Sequence, residues 1–494
     1  MNPVTRKKGA GAIIKRTPRD QDSPLSFAQQ RLWFLEQLEP GSNLYHIGRA
    51  LRLSGRLALP ALNATLSEIV RRHEALRTTF AVAGGAPVQR IAPDAPVSVG
   101  IVDLAGSQEA EKEALAERFA REDTDLSFDL VAGPLFRFTL LRLGPLDWVI
   151  VFTTHHIVSD GWSTQVLLRE MALLYEAFCD GKPSPLPELP IQYADYAAWQ
   201  RESANGQALE KQLDYWRRQL SGEIADLRLP TDRPRPATRS FIGGKVSLSL
   251  SAELSGALTK VGRLEAATLF MTLLAGFEAL LHCYSSQVDI LVGTPVAGRG
   301  RLETEPLIGF FVNTLVLRTD LSGDPSFREL LKRVRQTVWE ALAHQDLPFE
   351  KLVEELHPQR DLNRSPLFQV MFNMVNLADE SIEVRGLTLS SLSFLEDQPK
   401  FDLVLYAAEQ GGKIDLNLVY DSDLFYAETV SLMLDNLGMI LARAAGEPNV
   451  RLSELKAAFD EAARSRRAIR EKELAQMRRQ SIGVIKRKPV VIES

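Results

Sequence analysis

The sequence predicts a mixed α/β protein of two lobes, and three observations predict it. At 494 residues the chain is longer than one hydrophobic core usually supports. Helical and strand periodicities alternate in both of its halves. Between them, at 181–190, Pro183, Pro185, Pro187 and Pro190 form a stiff stretch that can continue neither a helix nor an inner strand. The expected divisions are an irregular basic leader at 1–23, an N-terminal lobe at 24–182, a C-terminal lobe at 183–462 and a basic helical tail or linker at 463–494.

Apolar residues recur at helical spacing from Phe27 to Leu38 until Pro40-Gly41 breaks the run, and a strand is expected next. A second helix is predicted over 59–79, with Pro60 suited to its first turn, and a third over 110–123. Residues 135–143 and 148–154 read as paired strands around Gly144-Pro145. Beyond the prolines, helices are expected within 191–219, at 252–264 and at 269–285, followed by a strand at 288–293. Strands at 311–318, 368–376, 403–408 and 414–420 enclose a helix at 326–344. A charged helical stretch at 451–479 leads into an irregular basic end. Structure is expected to begin near Ser23.

Apolar residues are 45% and charged residues 24%, which excludes a largely disordered or collagen-like chain. No apolar run approaches the roughly 20 residues that cross a bilayer, so an integral membrane protein is not expected. The leader lacks the apolar core of a secretory signal, and cytoplasm is the expected compartment. Cys179 and Cys283 have no metal-ligand spacing and read as core filler. The net charge of −5 hides basic ends, +4 over 1–23 and +7 over 463–494, which leave the body at −16. Such a body offers no broad positive groove, so nucleic acid is not the expected ligand.

The chemistry concentrates in Thr153-Thr154-His155-His156-Ile157-Val158-Ser159-Asp160-Gly161-Trp162-Ser163. A strand ends in two histidines, a short turn supplies Asp160 and Gly161, and a helix opens at Trp162. Strand alternation puts His155 and His156 on opposite faces, so one reaches a cleft while the other packs behind it. Asp160 can cap free N–H groups or hold a basic partner. Gly161 lets a ligand approach backbone where a helix N-terminus favours negative charge. The pattern fits a base beside an oxyanion site. The alternative, a metal held by His155, His156 and Asp160, is not expected, because alternation splays the imidazoles.

This segment resembles the His-His-x-x-x-Asp-Gly signature of the condensation domains of nonribosomal peptide synthetases. Further motifs follow in family order. Ser26-Phe27-Ala28-Gln29-Gln30-Arg31-Leu32-Trp33 is similar to the opening helix, and Arg72-His73-Glu74-Ala75-Leu76-Arg77-Thr78-Thr79-Phe80 to the second motif. Tyr193-Ala194-Asp195-Tyr196, Ile308-Gly309-Phe310-Phe311-Val312-Asn313-Thr314, His344-Gln345-Asp346-Leu347-Pro348-Phe349 and Arg364-Ser365-Pro366-Leu367 resemble the others.

The resemblance implies two lobes like chloramphenicol acetyltransferase, set in a V with the site in a tunnel between them. It implies donor and acceptor carrier proteins as partners, each presenting a thioester on a phosphopantetheine arm, with neighbouring synthetase domains alongside and no cofactor bound by the domain itself. The acceptor amine attacks the donor carbonyl and a peptide bond results. By the same carry-over His156 reaches the tunnel and accepts the amine's proton or orients the amine, and the Gly161 N–H stabilises the oxyanion. Roughly a tenth or more of a free α-amine is neutral at pH 7, so a strong base is not required. His155 packs inward, and Asp160 holds the turn through an ion pair for which Arg299 of the other lobe is the candidate partner, the alternative being Arg299 on a solvated loop. His73, His344, Trp162 and Trp199 are expected in structural roles. His155-His156 disfavours the heterocyclising branch, which carries Asp-x-x-x-x-Asp there. Epimerisation of a carrier-bound residue and a non-catalytic carrier-docking platform are the alternatives. With no adenylation or carrier motif in view, one excised or free-standing domain is expected.

Overall fold

The computed structural model describes residues 13–203, 206–357, 364–375, 381–392 and 398–465. The expectations for residues 1–12, for Asn376 and for the tail beyond 465 lie outside the described residues. Two six-stranded sheets form the two lobes. The first runs Ser381–Val384, Leu387–Leu392, His46–Ser54, Asp147–His155, Phe136–Arg142, Gly100–Asp103 in spatial order. The second runs Asn313–Asp320, Asp289–Val296, Val370–Val375, Leu403–Gln410, Lys413–Asp421, Gly243–Leu250.

Period-two alternation decides what the first sheet buries. Trp148, Ile150 and Phe152 of the central strand face one core with Leu51, Leu53 and Leu140. Val149 and Val151 face the opposite one with Leu141, Leu143 and Ala50. Helices Leu59–Arg72 and Gly161–Cys179 cover the first face, and Ala116 and Ala120 of helix Glu109–Asp125 cover the second. Both faces of the strand carrying His155 are therefore dry, which explains its nearly unbroken apolar run. In the second lobe, helix Leu269–Ser285 is buried on almost every side.

Among the described residues no single helix is long and apolar enough to cross a membrane. The pair Ala252–Leu264 and Leu269–Ser285 passes on length and composition only as a pair bent by 103°.

The structure corrects several sequence expectations. The predicted helix at 59–79 ends at Arg72, because His73 turns to extended backbone and buries its ring. A short 3-10 turn and a strand from Thr78 follow. The cut at 182/183 does not separate the sheets: the hairpin Ser381–Val384 and Leu387–Leu392, late in the chain, pairs antiparallel with His46–Ser54 and extends the first sheet. Ordered packing also begins before Ser23. Residues 13–22 are irregular, yet Ile14 is buried, Thr17 N donates to Asp195 Oδ1 at 2.7 Å, and Arg19 Nη1 meets the same oxygen at 2.8 Å. Cys283 is buried as core, whereas Cys179 is only half-buried.

Candidate active site

The strand Asp147–His155 ends where the chain enters a 3-10 turn, His156–Val158, and Asp160 then caps helix Gly161–Cys179 by accepting from Ser163 N at 2.7 Å. Gln29 secures the turn from outside. It completes a capping box with Ser26 at the start of helix Phe27–Leu38, and its Nε2 donates to Ile157 O at 3.2 Å.

The two histidines hold opposite tautomers. His155 Nδ1 lies 3.1 Å from Ile157 N–H and must accept, so its proton sits on Nε2. His156 Nδ1 lies 2.9 Å from Ser159 O, which can only accept, so Nδ1 carries the proton and the lone pair is on Nε2. His155 packs inward as expected. It is 1% exposed, edge-on to His46 at 5.7 Å and Phe128 at 6.2 Å, and burial holds its pKa well below the usual range. His156 sits deep in surrounding protein yet keeps a partly accessible edge. Desolvation, helped by the positive charge of Lys400, pushes its pKa down to about 3. At neutral pH it is a neutral imidazole that accepts a hydrogen bond and is a weak base.

Asp160 and Arg299 meet, so Arg299 does not sit on a solvated loop. Arg299 Nη2 is 3.1 Å from Asp160 Oδ1, and both side chains are buried. The contact extends beyond the turn. Asp160 Oδ2 accepts from Phe311 N at 2.9 Å, and Ser163 Oγ accepts from Gly309 N at 3.1 Å and from Arg299 Nη2 at 2.8 Å. Arg299 Nη1 donates to Thr304 O at 2.6 Å and Leu307 O at 2.7 Å. Tyr193 OH donates to Phe310 O at 2.6 Å and lies 2.8 Å from Ser26 Oγ. A Cβ on Gly309 would stand 2.0 Å from the Tyr193 ring, so only glycine permits this approach. Asp160 thus clamps residues 309–311 of the other lobe against the histidine turn.

Gly161 lies at the exposed start of its helix, and an added Cβ there would meet nothing within 4 Å. Its value is open space next to a helix N-terminus, where backbone N–H groups favour negative charge.

His73 and His344 have structural surroundings: His73 Nε2 is 2.8 Å from Glu170 Oε2, and His344 stacks on Tyr215 at 4.0 Å. Trp199 is partly buried against an apolar cluster with Tyr193 and Phe311. Trp162 departs from the core expectation. It is 38% exposed, and its indole N–H donates to Glu305 O at 2.9 Å. Sequence reasoning missed Phe310, Ser163, Tyr193 and Lys400 as neighbours of the site. Phe310 and Tyr193 stood in recognised motifs, but nothing local marked which residues those motifs would touch. Among the described residues no group of three or more His, Cys, Asp or Glu could hold a metal ion.

Known proteins resemble the chain along most of its length. The family described as Condensation domain matches residues 19–465. A linear gramicidin synthase polypeptide of Brevibacillus parabrevis is 48% identical over 437 residues, which cover 88% of this chain and 6% of that protein. The chain thus spans under a tenth of that relative's length. Among solved structures, the X-domain from teicoplanin biosynthesis superposes with a TM-score of 0.81 at 30% identity, covering 90% of this chain and 99% of that one. The same domain in complex with OxyB gives 0.80 at 31%, covering 90% and 98%.

Proposed function

The chain belongs to the condensation-domain family, and from that premise we propose that it forms a peptide bond between a donor acyl or peptidyl thioester and an acceptor aminoacyl thioester. Both substrates arrive on phosphopantetheine arms of carrier proteins, with neighbouring synthetase domains supplying those carriers and no cofactor bound by the domain itself. One observation carries the reading: Ser159 O fixes the His156 tautomer so that an Nε2 lone pair is free, on a partly accessible residue a few positions in sequence before the open helix start at Gly161.

An imidazole held that far below its ordinary range does not store a proton at rest. Its first task is to accept a hydrogen bond from the acceptor amine and aim the nitrogen lone pair at the thioester carbon. As the C–N bond forms, the carbonyl electrons move to oxygen, which the Gly161 N–H and the helix N-terminus stabilise. The attacking nitrogen is then cationic and far more acidic, so its proton passes to Nε2 and on to the sulfur as the C–S bond breaks. Amide and free thiol leave.

The likeness to an X-domain whose structure is a complex with OxyB favours a second reading, a docking platform without chemistry. The deciding experiment loads two carrier proteins with donor and acceptor and measures dipeptidyl product with native protein and with His156→Ala. Product from the native protein and a large loss in the variant support condensation. Equal product from both, or none from either while carriers still bind, removes it. Chiral analysis of the product distinguishes epimerisation.

A further inference from the structure

The Phe310 ring crosses from the second lobe into the first. Its centroid is 4.8 Å from that of His156 at an interplanar angle of 60°, and it packs against the apolar cluster containing Leu25, Phe80, Ile157 and Val158. Its backbone is fixed at three consecutive residues: Ser163 Oγ accepts from Gly309 N, Tyr193 OH donates to Phe310 O, and Asp160 Oδ2 accepts from Phe311 N. Phe310 and His156 are both half-buried. A buried ion pair, a buried tyrosine and an obligatory glycine therefore converge on the placement of one phenyl ring. That ring has no polar group, and the chemistry assigned to His156 and Gly161 makes no use of it.

An apolar ring packed against an imidazole has two physical consequences. It denies water a hydrogen-bonded place over the part of the imidazole that it covers, and it restricts rotation of the imidazole away from the Ser159 carbonyl. Water and amine compete for one thioester carbon. With amine, C–N forms, C–S breaks and the proton lost from nitrogen ends on sulfur. With water, C–O forms, C–S breaks and the proton lost from oxygen ends on sulfur, releasing the donor as a free acid.

We propose that Phe310 is a positioning residue that walls the His156 imidazole against water and so sets the ratio of amide formation to donor hydrolysis; this rests on the condensation reading. The experiment measures amide and free acid from loaded carriers with the native protein, Phe310→Ala and Phe310→Leu. The alanine variant is expected to raise the acid-to-amide ratio about tenfold, while leucine, which keeps apolar bulk, restores most of the native ratio. Phe310→Val serves in the same way if the alanine variant melts below the assay temperature. An acid-to-amide ratio unchanged by loss of the ring overturns the proposal. A second readout needs no turnover. In histidine-labelled protein, the His156 resonance of Phe310→Ala is expected to titrate at least about one pH unit higher than in the native protein. If the native protein makes no amide at all, the condensation reading fails and this titration decides for the wall: an upward shift supports it and an unchanged pKa removes it.

Discussion

Arg299 Nη2 stands 3.1 Å from Asp160 Oδ1, across 139 residues of sequence, and neither side chain reaches solvent. Each charge is compensated by the other and by backbone groups, Ser163 N and Phe311 N on Asp160, Thr304 O and Leu307 O on Arg299. Removing one partner strands the other in a dry interior. Asp160→Ala and Arg299→Ala should each destabilise the fold by about 3–5 kcal/mol, and the double variant by clearly less than the sum. Equilibrium unfolding in urea checks this. Strict additivity would mean that the two groups do not depend on each other.

His156→Ala should reduce dipeptide formation by about 100-fold, the low end for a group that handles a proton, while carrier affinity stays near native. Tethering two reactants survives the substitution, so residual turnover is expected. Single-turnover kinetics with preloaded carriers separates the chemical step from binding.

Gly161→Ala tests the open helix start. Because a Cβ there meets no neighbour within 4 Å, stability should stay within about 0.5 kcal/mol of native. The methyl group would occupy the space in front of the N–H groups, and transfer should slow roughly 10- to 100-fold. Thermal melting alongside the transfer assay resolves the two effects. Native turnover would place the reacting carbonyl elsewhere.

Acid should destabilise the native state through its histidines. His156 has a folded pKa of about 3 against an ordinary 6.5, and burial also lowers His46, His73 and His155. Between pH 6.5 and 3 the unfolded chain binds the proton that folded His156 refuses, so stability falls as pH falls through that window. The slope is about 1.4 kcal/mol per pH unit for each such group. His156→Ala should flatten the stability curve by up to one proton below pH 6.5 and leave it unchanged above. The transfer rate of the native protein should correspondingly show no limb near pH 6.5.

Glu278 works in the opposite direction. It is buried in helix Leu269–Ser285, takes one hydrogen bond from Thr319 Oγ1 at 2.9 Å, and burial pushes its pKa up to about 8. The folded state keeps the proton that the unfolded state releases from pH 4.5 upward, so stability is lost as pH rises from 4.5 to 8. Glu278→Gln keeps an acceptor for Thr319 and cannot ionise. It should match the native protein near pH 4 and gain on it by about 1.4 kcal/mol per pH unit above 4.5. Urea unfolding at pH 4, 6 and 8 reads the difference.

The elements around the site were legible because their signals are local. The apolar run before His155, the capping Asp160 and the helical spacing after Trp162 lie within one short segment, and helix Phe327–Ala343 likewise sits inside its predicted range. Failures came where a partner far away in sequence decided the outcome. Helical periodicity continues past Arg72, but Glu170 and Ile308 capture His73 and the helix stops there. Trp162 read as core from its type alone, yet the carbonyl of Glu305 holds it at the surface. The hairpin Ser381–Val384 and Leu387–Leu392 carries no mark of which sheet it will join, since strand pairing is set by the edge available in space.

By itself the sequence determined the strand, turn and helix that carry the two histidines, because strand periodicity and helix capping act over a few residues. It offered Arg299 as a candidate distant partner of Asp160 beside a solvated-loop reading, and the tertiary structure chose between them. Tertiary structure alone decided what surrounds the imidazole: Phe310 beside it, Lys400 near it and the other lobe clamped at residues 309–311. The physical reason is that a tautomer follows from one hydrogen bond to neighbouring backbone, whereas desolvation sums over every group that excludes water, and here those groups come from both halves of the chain.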